Sequence, residues 1–121
     1  MYTGYFAKYK QYIEQGLIPI SISRKTPHWF NGDKYIILAP KYMLIYDYKN
    51  GTINEEVYKE RFNRWLNCLI VEHVVEELSS FGDLDKLVLC CYERPTDFCH
   101  RHLVADWLNK HTDLNVKEYI C

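Results

Sequence analysis

No apolar run in this chain approaches the roughly 20 residues a helix needs to cross a bilayer, so a membrane-spanning role finds no support. The opening MYTGYFAKYK lacks the apolar centre of a secretion signal. Five cysteines, an odd number with Cys90 and Cys91 adjacent in an apolar run, do not make a disulfide framework. Together these absences predict a protein of the reducing cytoplasm. Net charge is lacking as well: 15 basic side chains against 16 acidic ones leave −1. That balance gives no global pull on nucleic acid or anionic lipid, so anion binding has to come from a local cluster. No repeat, low-complexity tract or break in composition divides the chain, and one domain over 1–121 is expected. Zinc spacing is missing too. With no C-x-x-C pair and no H-E-x-x-H helix, neither a metal site nor a cofactor is expected. Nor is there the loop of covalent phosphate chemistry, a cysteine followed six residues later by arginine: Asp97 stands six after Cys91, and Ala105 six after Cys99.

What the chain does have is apolar and aromatic mass, 48% hydrophobic with 11 tyrosines. Tyrosine joins a large apolar body to a hydroxyl that needs a partner, so much of this mass belongs in a core or at a binding surface. The stretch that organises the rest is KLVLCCYERPTDFCHRHLVADWL, 86–108. Leu87 to Cys91 is an unbroken apolar run of strand length, suited to a strand buried on both faces of a parallel sheet. A charged turn, Glu93 to Asp97, follows. A helix is then expected from near Asp97 or Phe98, with Leu103, Val104, Trp107 and Leu108 on one face. This order sets Cys91, Glu93, Cys99, His100 and Arg101 around a strand's carboxyl end and a helix's amino end, where ligands bind in open α/β sheets.

Elsewhere, apolar residues at helical spacing predict an amphipathic helix over 3–15, with Thr3 as cap and Gly16 as stop. A strand is expected over 17–23, which sets Arg24 at a second strand end. Residues 35–38 read as a short strand or extended connector. Helices are expected over 40–48, where the β-rich YMLIYDY leaves a strand open as the alternative, from Asn54 onward and over about 71–80, and a last strand over 114–119. Strands alternating with helices predict a small Rossmann-like three-layer α/β fold, a mainly parallel sheet with helices on both faces.

Two short motifs, Cys91-Tyr92-Glu93 at the strand end and Cys99-His100-Arg101 at the helix start, resemble the mark of the domain of unknown function 488 family. Arg24 and Pro27 match an arginine and proline that follow that family's first strand. The chain looks like a short, compact branch of it. Where much of the family has Asp-Val-Arg, this sequence has Ile22-Ser23-Arg24, so no role of that aspartate carries over. The resemblance implies a Rossmann-like fold and a shared pocket.

The candidate chemistry follows from residue types. Arg24 and Arg101 offer bidentate contacts to phosphate or carboxylate, beside a helix terminus that itself favours anions. The alternative is that Glu93 pairs with one of them and merely ties strand to helix. Cys99 at a helix amino terminus is where a thiol becomes reactive, with His100, His28 or His102 as its base; the alternative is a small buried thiol. Trp29 could stack on a base-like ring or cap the sheet. The expected site comprises Cys99, His100 and Glu93 for chemistry and Arg24, Trp29 and Arg101 for binding. Its expected partner is a small anionic ligand, most plausibly a nucleotide; nucleic acid is less favoured and a membrane is not expected. A binding module without turnover is the competing class.

Overall fold

The computed structural model describes residues 1–93 and 98–120. Five strands form one all-parallel sheet: β1 (Tyr2–Tyr5), β2 (Ile18–Ser21), β3 (Asp33–Lys34), β4 (Leu87–Cys91) and β5 (Lys117–Glu118), in the order β3-β2-β4-β1-β5. Five helices surround it: α1 (Tyr9–Glu14), α2 (Tyr42–Lys49), α3 (Glu55–Asn67), α4 (Val71–Ser79) and α5 (His100–His111). This is the small Rossmann-like α/β architecture that the alternation of elements predicts.

β4 is central and buried at every position. Side chains alternate across a strand, so its residues split between two cores. Leu87 and Leu89 join Ile20 and Ile22 against Phe62 and Leu66 of α3, Val74 and Leu78 of α4, and Val104 and Leu108 of α5. Val88 and Cys90 face the other way, toward Phe6, Tyr12 of α1, and Phe30. The same alternation turns Cys91 to the α5 side.

The amino-terminal segment corrects one expectation. Residues 3–15 carry a helical spacing, yet Tyr2–Tyr5 form β1 between β4 and β5, and only Tyr9–Glu14 are α-helical. Pairing on both edges outweighs local periodicity here. Position 4 of this strand has to be glycine, because a side chain there would strike Tyr12, whose hydroxyl donates to the Tyr5 carbonyl. Thr3 caps nothing and instead donates to Glu118 Oε1 at 2.7 Å. Residues 36–38 form a single 3-10 turn rather than a strand, the pairing having moved to Asp33–Lys34. α5 begins at His100, later than the sequence suggests, with Cys99 still extended at φ −150° and ψ 145°. The turn residues Arg94 to Asp97 lie outside the described residues, as does Cys121. No helix among the described residues is long and apolar enough to cross a membrane.

The start of α3 is as expected: Asn54 Oδ1 accepts from the Val57 N–H at 2.9 Å, with Glu55 and Glu56 in the positive first turn. Asn54→Ala should lower stability by about 1 kcal/mol in urea denaturation. No change would show that packing of Phe62 and Leu66 alone holds this end.

Candidate functional site

Neighbouring strands β2 and β4 send their chains in opposite directions, β2 outward to β3 and β4 across β1 to β5. Connections that part in this way open a crevice beyond the strands' carboxyl ends. A cavity of about 630 Å³ lies there. Ser23, Arg24 and Lys25 enter it from β2's end, Tyr92 and Glu93 from β4's end, and Cys99 and His100 from the start of α5. The outer wall is α2, which turns Tyr42, Ile45, Tyr46 and Lys49 to the cavity at i, i+3, i+4 and i+7, one helical face. Tyr48, Tyr58 and Phe98 complete an aromatic lining, with Tyr58 and Phe98 in edge contact at 5.2 Å between ring centres. Burial, and then the nearby Glu93, push the Tyr58 phenol up, so it stays neutral.

Of the three histidines open as partners for Cys99, the fold sets His100 beside it. Its Nδ1 lies 3.8 Å from Cys99 Sγ. Adjacent helical residues diverge, but Cys99 is an extended cap rather than a helical residue, and this lets the two side chains converge. His100 Nε2 sits 2.6 Å from the Ile22 carbonyl, which only accepts, so Nε2 carries the proton and the unprotonated Nδ1 faces the sulfur. Burial pulls the His100 pKa down to about 4, helped by Arg101 and His102 and opposed by the Ile22 hydrogen bond. The ring is neutral at ordinary pH. His28 is exposed, and the Nδ1 of His102 lies 4.0 Å from Glu118 Oε1.

Cys99 is joined to Cys91 by a disulfide bond. A pair of free thiols is the expectation from the odd cysteine count; the end of β4 and the residue before α5 instead bring these two sulfurs together. Glu93 Oε2 lies 4.0 Å from Cys91 Sγ at the cavity edge. The ligand atoms of Cys91, Cys99 and His100 all lie within 4.8 Å of one another. They suit an ion only with the disulfide open, since the thiolate, not the disulfide sulfur, is the metal ligand. Cys90, one residue away, faces the opposite core, where burial pushes its thiol up and leaves it inert.

Arg24 is partly buried and lines the cavity, its Nε donating to the Pro40 carbonyl at 3.3 Å. The structure does not bring the other two expected binding residues to this site. Trp29, 46% exposed, packs edge-on against Tyr9. Arg101, 0% exposed, lies behind the cavity. Its Nε and Nη2 donate to the two oxygens of Glu118 at 3.1 and 3.0 Å, and its Nη1 donates to Cys91 Sγ at 3.0 Å. Its carboxylate partner is thus Glu118, not Glu93.

A family model for the active DUF488-N3 subclade matches residues 7–112. The chain belongs to the DUF488 family. No curated protein and no solved structure matches it. The family's two motifs take distinct places in this fold: Cys91 and Arg101 meet beneath the cavity, while Glu93, Cys99 and His100 line it. Lys25, Lys49 and the α2 tyrosines were not singled out by sequence, although the helical period of YMLIYDYK marks their common face. Glu118 has no local signal at all, being a lone acid in a two-residue strand.

Proposed function

We propose that the cavity binds a small anionic molecule of nucleotide type and that the site can act on it chemically. One observation carries the reading: a crevice of about 630 Å³ at a topological switch point combines three cations, Arg24, Lys25 and Lys49, with a wall of tyrosine and phenylalanine rings. A volume in the usual range for ligand sites suits a base against the rings with its phosphate toward the cations. With the thiols free, Cys99 is the nucleophile, the neutral His100 orients its thiol by accepting a hydrogen bond at Nδ1, and Glu93 serves as acid/base or orients the ligand. The family description of this subclade as active favours chemistry over simple retention. The disulfide favours the opposite reading for the oxidised protein, a module that holds its ligand without turnover, because Cys99 then has no thiolate. We place the protein in a reducing cytoplasm, where the thiols are available.

The test is calorimetric titration at low salt with adenosine and its mono- and diphosphate, followed by mass spectrometry of the ligand. The phosphates should bind at least tenfold more tightly than adenosine. Arg24→Ala with Lys49→Ala should remove that difference, and added salt should erode it. Adenosine binding as well as its phosphates would end the anion reading. Unaltered ligand from reduced protein would leave the binding module.

A further inference from the structure

A fully buried arginine whose charge is paired by two donors to the Glu118 carboxylate still has its Nη1 to satisfy, and here that nitrogen meets a sulfur. In a disulfide that sulfur is a weak acceptor. As a thiolate it is a strong one, and a guanidinium N–H at 3.0 Å then makes a charge-assisted hydrogen bond. The two sulfurs also differ in access: Cys99 lines the cavity, and Cys91 lies below it against Arg101. We infer that Cys91 and Cys99 form a working thiol–disulfide couple, in which Cys99 exchanges with small thiols and disulfides entering the cavity and Cys91 is the internal leaving and resolving sulfur, positioned by Arg101.

The chemistry balances. An incoming thiolate attacks Cys99 Sγ, the Cys91–Cys99 bond breaks, and its electron pair leaves on Cys91 Sγ toward the Arg101 Nη1–H. A mixed disulfide now joins the small molecule to Cys99. A second small thiolate attacks the small-molecule sulfur and expels Cys99 as thiolate, which takes a proton. Two thiols have become one disulfide, and the protein has gained the two electrons. A small disulfide reverses the sequence: Cys99 attacks it, and Cys91 resolves the mixed disulfide. Stabilising the reduced partner in this way makes a disulfide easier to reduce. The inference stands on the sulfurs and Arg101. Only the charge of the favoured thiol, negative because it enters past Arg24, Lys25 and Lys49, rests on the anionic reading of the cavity.

The test follows each cysteine by peptide mass spectrometry, with Cys68 and Cys121 replaced by serine. Cys91→Ser treated with glutathione disulfide should carry glutathione on Cys99. Cys99→Ser should acquire it on Cys91 at least tenfold more slowly. In native buffer the wild-type bond should equilibrate with millimolar glutathione. Arg101→Lys, checked for folding by circular dichroism, should shift that equilibrium toward the disulfide by about tenfold, since one ammonium cannot serve both Glu118 and Cys91. A bond that opens only on unfolding, equal reactivity of the two sulfurs, or an unmoved equilibrium in folded Arg101→Lys would each overturn the inference. So would a reduced protein that binds one zinc ion and then ceases to exchange. Glutathione should react faster than mercaptoethanol; exchange at Cys99 with no such preference would uphold the couple and count against the anionic cavity.

Discussion

Arg101→Ala should cost roughly 3 to 5 kcal/mol of folding stability, the usual consequence of removing one member of a buried ion pair. The side chain is wholly enclosed, and the pair ties α5 to β5 across β1 through Glu118, which also accepts from Thr3. Truncation takes from the Glu118 carboxylate, itself largely covered, the two donors of Arg101 and its counter-charge, leaving the Thr3 hydroxyl. Urea denaturation of the reduced protein reads this directly. Arg101→Met combined with Glu118→Leu should recover much of the loss, because it removes both charges and keeps apolar volume. A loss below about 1 kcal/mol, together with abolished nucleotide binding, would instead return Arg101 to the cavity as a ligand contact.

The second large effect is a pH dependence from His100. Its folded pKa of about 4 lies below the ordinary 6.5, so the unfolded chain binds the proton more readily. The sign follows: the neutral ring's contribution is fully present above about pH 6.5 and is lost as pH falls toward 4, by up to about 3 kcal/mol. Burial is the main cause, since charging the ring would put a cation among Phe62, Cys99 and the Ile22 carbonyl, with the Arg101 cation near. His100→Gln keeps a donor for that carbonyl and removes the titration. Its unfolding free energy, followed between about pH 8 and pH 4, should therefore fall less steeply than that of the wild type. Parallel curves would mean that His100 accepts its proton without leaving the folded state, and would remove the fixed tautomer on which its pairing with Cys99 depends.

Much of the candidate site's placement is legible in the sequence. An apolar run of strand length followed by a charged turn and an amphipathic helix has few other solutions, and it fixed β4, α5 and the crevice between their ends. Arg24, Glu93, Cys99 and His100 meet there because each ends or begins an element, and element ends are readable from local pattern. Arg101 shows the limit of that reasoning. Its position in the first turn of α5 says that it is near the site, but whether it faces the cavity or the core depends on the rotation of the helix, which Leu103, Val104, Trp107 and Leu108 set by packing.

By itself the sequence determined the class of fold, the central strand, helices over 40–48, from Asn54 onward and over about 71–80, each within a few residues of α2, α3 and α4, and the neighbourhood of the candidate site. These follow from periodicity, caps and turns, which act over a few residues. Only the tertiary structure decided that Tyr2–Tyr5 is a strand, that Glu118 is the partner of Arg101, and that Cys91 and Cys99 bond to each other. The strand owes its existence to neighbours 86 and 115 residues away in sequence, Tyr2 facing Val88 and Lys117. The ion pair crosses from helix to sheet. The disulfide depends on a cap residue left extended at φ −150°. Each is a long-range or backbone-specific choice, made by burial and pairing that no local window contains.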